Sequence, residues 1–213
     1  MKTAVITGGS GYVGGAVIDM LLKKHFRVLN ISRSAVEKNG VENILCDLSD
    51  AEATKIAAET VKEKVSVVDV FIHAACPPTT RKALEDVTEE ECAREFAIAV
   101  DAAEIFAQEL LPHMSAGSSF IGITTASLDK EMPEKNIGAY IPAKAALRAL
   151  VKKLAEQWED KGIHVYDVAP TFLPGGLNKN LPEGVRNLLA RQKDGTIPTA
   201  TDVAKTIENL LNG

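Results

Sequence analysis

The sequence predicts an α/β fold in which one doubly wound parallel sheet lies between two layers of helices, a three-layer αβα arrangement. Short β-rich runs alternate along the chain with longer helical patterns. Several of these runs are continuously apolar, which is typical of strands that helices cover on both faces. Strand–helix alternation also implies right-handed crossovers between parallel strands. The third observation is a glycine-rich stretch between the first strand and the first helix.

Six β-rich runs are predicted strands, and six helical patterns are predicted helices. The strands are residues 2–7, 27–32, 43–46, 67–73, 118–125 and 164–169. The helices lie near residues 12–24, 50–63, 88–114, 139–161, 182–193 and 200–212. No repeat, low-complexity tract or Pro- or Ser-rich linker divides the chain, so residues 1–213 are predicted to form one domain.

Composition and charge exclude several classes of protein. With 46% apolar and 25% charged residues, the chain has the composition of an ordinary globular domain. Its net charge of −5 argues against a nucleic-acid partner, because phosphate binding requires a basic face. No apolar run reaches the roughly 18 residues of a membrane span, so we expect no membrane partner. The cysteines and histidines lack disulfide-framework and metal-ligand spacings, so we expect no metal site and a reducing, cytoplasmic location.

The stretch Gly9-Ser10-Gly11-Tyr12-Val13-Gly14 satisfies G-x-G-x-x-G directly after the first predicted strand. A glycine-rich turn without a ligand is the alternative interpretation. The strand–turn–helix context favours dinucleotide binding, because a helix N-terminus offers free N–H groups and a positive dipole end to a pyrophosphate. A phosphate loop of the Walker kind is excluded, since no Gly-Lys-Ser/Thr follows. We expect the glycines to make room for a cofactor.

With this loop and the motifs that follow it, the chain resembles the short-chain dehydrogenases/reductases, a family with a Rossmann fold. Thr7-Gly8-Gly9-Ser10-Gly11-Tyr12-Val13-Gly14 fits the spacing TGxxGxxG of the extended and atypical branches. The other family motifs follow in order at residues 46–48, 69–76, 111–114, 117–125 and 140–144. The resemblance covers residues 3–211 and implies an enzyme that interconverts a carbonyl and an alcohol with NAD(P).

Tyr140 and Lys144 match the family's YxxxK pair and are the predicted acid–base residues. Tyrosine has a pKa near 10, and a neighbouring ammonium group favours the phenolate and lowers that pKa. The resemblance also implies a hydroxyl that hydrogen-bonds the substrate carbonyl. Alignment of the fifth strand favours Thr125 for this role, whereas the family's usual spacing before the tyrosine favours Ser127. Both residues stay candidates, with Thr125 preferred.

The resemblance implies a cofactor site built from the loops that follow the strands. Its predicted residues are Gly8, Gly9, Ser10, Gly11, Tyr12, Val13, Gly14, Ser32, Arg33, Ser34, Cys46, Asp47, Leu48, His73, Ala74, Ala75, Tyr140, Lys144, Pro170, Thr171 and Phe172. No Asp or Glu stands about 20 residues after the glycine loop to bind a ribose 2′-hydroxyl. Arg33 stands there and suits a 2′-phosphate, so we predict NADP, with NADPH preferred over NADH. A surface arginine without a ligand is the alternative.

Several departures from the family pattern bear on activity. Ala99 stands where the family has the asparagine of its proton relay, and Pro170-Thr171 replaces a Pro-Gly pair. The stretch Pro174-Gly175-Gly176 lacks the threonine that meets the carboxamide, and the chain ends where most relatives continue into a seventh strand. Cys76 is predicted to be a small wall residue and His73 a cofactor-side turn residue.

These residues predict an NADP-dependent oxidoreductase that acts on a small or medium organic carbonyl or alcohol. A cofactor-binding regulator or pseudo-enzyme with little turnover is the alternative, and dehydratase or epimerase chemistry is a third. In the family, helices equivalent to 88–114 and 139–161 form the usual dimer surface, so we expect a homodimer or homotetramer. Trp158 on the second of these helices is predicted to serve packing or that interface.

Overall fold

Six parallel strands form one sheet at the centre of the fold. The computed structural model describes residues 1–78, 82–129, 136–191 and 195–212. The strands are β1 (Thr3–Thr7), β2 (Arg27–Ser32), β3 (Val41–Leu45), β4 (Val70–His73), β5 (Ser119–Ile123) and β6 (His164–Val168). Their order in the sheet is β3-β2-β1-β4-β5-β6, so the direction of winding reverses between β1 and β4. The predicted doubly wound parallel sheet is confirmed.

Helices cover both faces of the sheet and give the fold its three layers. The α-helices are α1 (Tyr12–Lys23), α2 (Ala51–Lys64), α3 (Glu89–Phe96), α4 (Ala102–Leu110), α5 (Tyr140–Trp158), α6 (Glu183–Ala190) and α7 (Ala200–Asn212). A π-helical turn at Ala97–Asp101 joins α3 to α4, and 3₁₀ turns lie at Leu84–Asp86, Leu111–His113, Ala126–Asp129, Glu159–Lys161 and Gly176–Asn178. None of the described helices is long and apolar enough to cross a membrane.

Alternate residues of the central strands supply two separate cores, because successive side chains of a strand point to opposite faces. Val5 of β1 packs in the core formed with α2, α4 and α5. Its neighbours Ala4 and Ile6 pack in the core formed with α1 and α7. This arrangement explains why β1 is apolar at consecutive positions and does not alternate with polar residues.

Four aromatic rings fill the middle of the first core. The Phe71 ring centroid lies 5.3 Å from that of Phe106 and 5.0 Å from that of Phe120. The indole ring of Trp158 is buried and meets Phe120 edge to face, with 5.7 Å between the centroids. The prediction that Trp158 serves packing is confirmed.

The outer strands are less buried than the sequence predicts. Strands β1, β4 and β5 are buried along their whole length, as expected for strands covered on both faces. In β3 only Ile44 is buried, and in β6 only Val168 is. The expectation of two covered faces is therefore wrong for β3 and β6, because each has a neighbouring strand on one side only in the described sheet.

The predicted helix 88–114 is divided into shorter segments. Thr88 caps α3 with a capping box, and the π turn Ala97–Asp101 then separates α3 from α4. His73 explains the interruption, because its Nε2 donates a hydrogen bond to the Ile98 carbonyl at 3.0 Å. The helix predicted at 182–193 is observed at Glu183–Ala190, and residues 192 and 193 lie outside the described residues. Strand β2 and helix α7 have the predicted bounds, and the other elements differ from the prediction by at most three residues at either end.

Gly8 is a glycine whose replacement should lower stability for two reasons, its positive φ and its close backbone neighbours. It has φ +72°, and a Cβ there would lie 2.6 Å from the Ala75 Cα. We expect Gly8→Ala to lower the free energy of unfolding by roughly 1–3 kcal/mol, measured by chemical denaturation. Gly15→Ala is the matched control, because its Cβ would meet only the Gly9 carbonyl at 3.7 Å inside a helix. The control should be neutral or stabilising, and equal losses in both variants would contradict this account.

Candidate cofactor and active site

A cavity of about 810 Å³ opens at the carboxyl ends of the strands and is lined by the loops after all six of them. Ligand pockets are typically about 300–1,000 Å³ in volume. In open α/β sheets, ligands bind at this edge where the strand order reverses. All the residues predicted for the cofactor and for catalysis line this cavity except Gly9, Ser34 and His73.

The glycine loop joins β1 to α1 by close backbone packing. The Gly8 N–H donates to the Ile31 carbonyl at 2.9 Å, and the Gly11 N–H donates to the Gly8 carbonyl at 2.9 Å. A Cβ on Gly14 would lie 2.8 Å from the Gly9 Cα. Gly8 and Gly14 therefore make room for neighbouring protein backbone, and the expectation that the loop also makes room for a cofactor stays a prediction.

The same loop leaves the N-terminus of α1 without a side-chain cap. Gly11 is the N-cap residue, and no side chain accepts from the first turn of the helix. The first N–H groups of a helix need partners outside the helix, and an anion is a suitable one. The loop thus fits a pyrophosphate at the residues Ser10, Gly11 and Tyr12, which line the cavity.

Asn30 is a residue of this region that the sequence analysis missed. Its side chain is fully buried in β2, where Oδ1 accepts from the Gly9 N–H at 3.1 Å. Its Nδ2 donates to the Ser32 Oγ and the Asn43 Oδ1, both at 2.9 Å. An asparagine inside the apolar run of a central strand was the available signal. Asn30 holds the glycine loop from behind.

Arg33 and Asp47 lie on the part of the cavity formed by the loops after β2 and β3. The Arg33 side chain is exposed, and it has no ion pair within residues 1–78, 82–129, 136–191 and 195–212. Asp47 Oδ1 accepts from the backbone N–H of Ser49 at 3.0 Å and from its hydroxyl at 2.8 Å. These hydrogen bonds hold the pKa of Asp47 below its usual range, with smaller contributions from the charges of Arg94 and Arg33.

Three predicted residues do not line the cavity, and one of them, Ser34, is exposed. Gly9 faces Asn30, and the Ser34 carbonyl accepts from the Ser32 hydroxyl at 2.7 Å. His73 is fully buried at the end of β4. The prediction of His73 as a cofactor-side residue is wrong for its side chain, because both ring nitrogens are engaged inside the protein.

The His73 ring bridges β1 and the π turn. Its Nδ1 accepts from the Thr7 hydroxyl at 2.9 Å, and its Nε2 donates to the Ile98 carbonyl at 3.0 Å. The proton is assigned to Nε2 because a carbonyl can only accept. Burial, with a further contribution from the charge of Lys144, lowers the pKa of His73 to about 3. The ring is therefore neutral near pH 7 and cannot act as a general acid there.

Tyr140 and Lys144 face the cavity from the first turn of α5. Lys144 is buried, and its Nζ donates to the Ile123 carbonyl at the end of β5 at 2.7 Å. The same nitrogen lies 5.9 Å from the centroid of the Tyr140 ring. A fixed ammonium beside a phenol favours the phenolate, as acid–base work by the tyrosine requires.

Thr125 and Ser127 are both buried and both line the cavity. The Thr125 Oγ1 accepts from the Ser127 N–H at 3.2 Å, which leaves the threonine hydroxyl hydrogen available to a ligand. Arg148 holds this loop by donating to the Thr125 carbonyl at 3.1 Å and by an ion pair with Asp129 at 2.7 Å. Both hydroxyls therefore remain candidates.

The segment after β6 covers the glycine loop. The Tyr12 ring packs against Gly175, where a Cβ would lie 2.6 Å from the ring. Within the segment, Asn178 donates to the Leu173 carbonyl at 2.8 Å and Arg186 to the Pro174 carbonyl at 2.9 Å. Gly175 is thus required by the contact with Tyr12, which the sequence analysis did not anticipate.

Glu95 on α3 is the second residue that the sequence analysis missed. Its side chain is 7% exposed, and Oε1 has no hydrogen-bond partner among the described residues. Burial raises the pKa of Glu95 to about 7, while the charge of Lys144 lowers it in part. In the sequence, Glu95 follows Arg94 in a charged helix, so nothing local distinguishes it from a surface residue.

A doubly wound sheet with a glycine loop at its switch point defines the Rossmann-fold class of proteins. A family model described as enoyl-(acyl carrier protein) reductase matches residues 20–212. The chain belongs to the short-chain dehydrogenase/reductase family.

Curated relatives are similar over most of the chain. Tropinone reductase-like 3 of Erythroxylum coca is 29% identical over 201 residues, which cover 88% of this chain and 77% of that protein. A probable galactose dehydrogenase of Rhizobium meliloti is 28% identical over 81% of this chain and 72% of its own length. The uncharacterized oxidoreductase YhxC of Bacillus subtilis is 26% identical over 79% of this chain, which spans 63% of that protein.

Solved structures share the fold along almost the whole chain. A short-chain dehydrogenase family protein of Francisella tularensis has a TM-score of 0.86 at 20% identity and covers 99% of this chain and 91% of its own. The Pseudomonas aeruginosa RhlG/NADP complex has a TM-score of 0.87 at 23% identity and covers 99% of this chain and 89% of its own. At these identities the likeness concerns the fold alone.

The buried Glu95 gives stability a specific pH dependence. Its pKa of about 7 in the folded chain exceeds the ordinary 4.5, so the folded state binds more protons between these values. The contribution of Glu95 to stability is therefore present below pH 4.5 and is lost as the pH rises to 7. The free energy of unfolding of Glu95→Gln, relative to the parent, should grow by up to about 3 kcal/mol from pH 4.5 to pH 8 in chemical denaturation.

The matched control for this measurement is Glu90→Gln, because Glu90 is exposed on the same helix. The free energy of unfolding of Glu90→Gln, relative to the parent, should vary by less than about 0.5 kcal/mol between about pH 4.5 and pH 8. A pH-independent difference for Glu95→Gln would show that the Glu95 carboxyl is not desolvated as described.

Proposed function

We propose that the chain is an NADP-dependent oxidoreductase that interconverts a carbonyl and an alcohol on a small or medium organic molecule by hydride transfer. The observation that carries the proposal is the presence of Tyr140, Lys144 and a buried hydroxyl in the cavity that also contains the glycine loop. Cofactor site and acid–base pair face one volume, as a hydride transfer coupled to a proton transfer requires.

The cofactor would lie across the cavity. The uncapped N-terminus of α1 suits the pyrophosphate, and the loop at residues 46–48 suits the adenine. Lys144 and Tyr140 would hold the nicotinamide ribose, with Ala74, Ala75 and residues 170–172 along the remaining wall. When bound, the reduced nicotinamide supplies the hydride.

The protein's own residues handle the proton and the developing negative charge. In carbonyl reduction Tyr140 donates its phenolic proton to the substrate oxygen, and Lys144 stabilises the phenolate that forms. Thr125 or Ser127 donates a hydrogen bond to the same substrate oxygen and so stabilises charge that builds there. In alcohol oxidation each transfer runs in reverse.

Arg33 is the residue that supports NADP over NAD. Neighbouring folds include a Burkholderia cenocepacia short-chain dehydrogenase with NADP and a Brucella melitensis 3-ketoacyl-(acyl-carrier-protein) reductase with NADH. Since this fold admits both cofactors, the choice depends on the residues after β2. There an exposed guanidinium without an ion pair among the described residues suits a 2′-phosphate.

The relatives' names support the reaction class and leave the substrate open. The names of the relatives contain chemically different substrates: they are a tropinone reductase-like protein, a probable galactose dehydrogenase and a cis-4-hydroxycyclohexanecarboxylate dehydrogenase. Their names share the interconversion of carbonyl and alcohol. We accordingly propose this reaction class, with the substrate to be found by screening a panel of carbonyl compounds.

The second candidate is a cofactor-binding regulator or pseudo-enzyme of the same fold. Ala99 favours it, because this fully buried residue has no polar group to join a proton relay. Retention of both Tyr140 and Lys144 opposes it. We further propose one domain over residues 1–213, a cytoplasmic location and a homodimer or homotetramer.

Cofactor preference tests the role of Arg33. We expect the parent protein to bind NADPH more tightly than NADH, and Arg33→Ala to lose roughly 10- to 100-fold in NADPH affinity, because a charge-assisted hydrogen bond to the 2′-phosphate is removed. NADH affinity should stay within about twofold, as measured by isothermal titration calorimetry. Arg94→Ala is the matched control, since Arg94 lies 3.7 Å from Asp47 and is engaged there. Equal affinities in the parent would refute the preference.

The two hydroxyl candidates are separated by kinetics on a substrate from the carbonyl panel. Thr125→Val keeps the branched shape and removes the hydroxyl, so we expect kcat to fall by roughly 10²–10³. Ser127→Ala should lower kcat only slightly, and the NADPH affinity of both variants should stay near that of the parent. The reverse ranking would assign the role to Ser127. Turnover of Tyr140→Phe at the parent rate would exclude the proposed mechanism.

A further inference from the structure

A second, smaller cavity lies beside the main one. Its volume is about 260 Å³, which is enough for several water molecules. It is lined by Arg33, Pro77, Pro78, Glu91, Arg94 and Glu95. Three of these residues, Arg33, Pro77 and Pro78, also line the main cavity, so the two volumes adjoin. Because Arg33, Pro78 and Arg94 are exposed, the smaller cavity has a rim in solvent.

Glu95 is the buried polar group of the smaller cavity. Its carboxyl is more than nine-tenths buried, and Oε1 has no hydrogen-bond partner among the described residues. A buried carboxyl oxygen without a partner costs free energy, which calls for a reason. Two other charged groups of this cavity are engaged elsewhere, Glu91 with Lys82 at 2.7 Å and Arg94 with Asp47 at 3.7 Å, whereas Arg33 has no ion pair among the described residues.

The charged group that acts on Glu95 from another element is Lys144 of α5. Cys76, from the loop after β4, also interacts electrostatically with both Glu95 and Lys144. The thiol is neutral near pH 7, because burial raises its pKa to about 11. A further charged group, the Arg33 side chain on the loop after β2, lines the same cavity as Glu95. Glu95 therefore lines a solvent-rimmed cavity that adjoins the main cavity, and Lys144 lines the main cavity.

Ala99 makes the position of Glu95 significant. It lies beyond α3 in the π turn, is fully buried and carries no polar group. A route for protons along this side of the cavity cannot use Ala99. One turn earlier, Glu95 carries a buried carboxyl group, whereas the carboxyl group of the π turn, that of Asp101, is exposed.

We propose that Glu95 exchanges the proton of the reaction between water in the 260 Å³ cavity and the Lys144–Tyr140 pair. This inference rests on the proposed carbonyl–alcohol chemistry. In reduction, the Tyr140 O–H bond breaks and its proton goes to the carbonyl oxygen. Lys144 passes an ammonium proton to the phenolate, and the Glu95 carboxylic acid returns a proton to the lysine amine through water in the two adjoining cavities. A proton from solvent then restores Glu95, so one proton enters for each carbonyl reduced.

The protonation equilibrium of Glu95 suits this exchange. With a pKa of about 7, both its acid and its carboxylate form are populated near neutral pH. Reduction uses the acid form, so its rate should fall as the pH rises through about 7. Oxidation uses the carboxylate, so its rate should fall as the pH drops through the same value. Glu95 acts through Lys144 and touches neither substrate nor cofactor, so it is a positioning residue in this site.

The test is the pH profile of kcat in both directions for the parent, Glu95→Gln, Glu95→Asp and Glu90→Gln. We expect Glu95→Gln to lose the inflection near pH 7 and about 10² in kcat, with KM and NADPH affinity within twofold of the parent. Glu95→Asp should restore part of the rate, and added formate should raise the rate of Glu95→Ala. The exposed Glu90→Gln should keep the parent profile.

A readout independent of turnover is the carboxylic acid C=O infrared band of the protein without cofactor. A band that titrates near pH 7 should be present in the parent and absent from Glu95→Gln, and Lys144→Met should move its midpoint upward, since the lysine charge lowers the pKa of Glu95.

The outcomes separate the two proposals. An unchanged profile in Glu95→Gln, or no formate rescue of Glu95→Ala, would overturn the role of Glu95 alone if the parent shows Tyr140-dependent turnover. Absence of Tyr140-dependent turnover in the parent would overturn both. If Glu95→Gln does not fold, the pH profile of kcat for Glu95→Asp decides. A shifted inflection in that profile supports the proton exchange. Loss of the inflection in a folded Glu95→Asp variant contradicts the proton exchange.

Discussion

The close approach of Gly8 to Ala75 is the constraint on which the rest of the site depends. At the switch point between β1 and β4, the two loops pass so closely that no Cβ fits between them. The Gly8 N–H is fixed on the other side by the Ile31 carbonyl of β2. These contacts fix the start of α1, whose first residues Tyr12, Val13 and Gly14 line the cavity.

A buried polar chain extends from the same junction to the π turn. The Thr7 hydroxyl binds His73, and His73 binds the Ile98 carbonyl inside the π turn. Each group in this chain has a partner, as a buried network must if it is to stabilise the fold. The π turn packs against α5, the helix that carries Tyr140 and Lys144. Backbone packing at Gly8 and the position of the π turn are thus parts of one structural arrangement.

The sequence predicts those features that depend on local pattern. Apolar runs and turn residues define the strands, and the glycine spacing after β1 locates the cavity at the switch point. The sequence does not as readily predict the role of Asn30, the π turn or the burial of Glu95, because each depends on residues that are distant in sequence. His73 acts on Ile98 across 25 positions, and Glu95 resembles a surface glutamate until α5 buries it. The mistaken interpretation of His73 has the same origin, because a turn motif indicates position and does not indicate which way a side chain points.

The electrostatics of the cavity limit which groups can gain or lose a proton near pH 7. Lys144 is a buried cation that acts on His73, Cys76 and Glu95 at once. His73, with a pKa of about 3, stays neutral, and burial keeps the Cys76 thiol neutral with a pKa of about 11. Cys76 is therefore a wall residue and not a nucleophile, since the thiolate is the reactive form. Of these three neighbours, only Glu95 changes its charge near neutral pH. Lys144 is buried at the cavity wall, and the proposed exchange through Glu95 gives its ammonium group a route for protons to and from water.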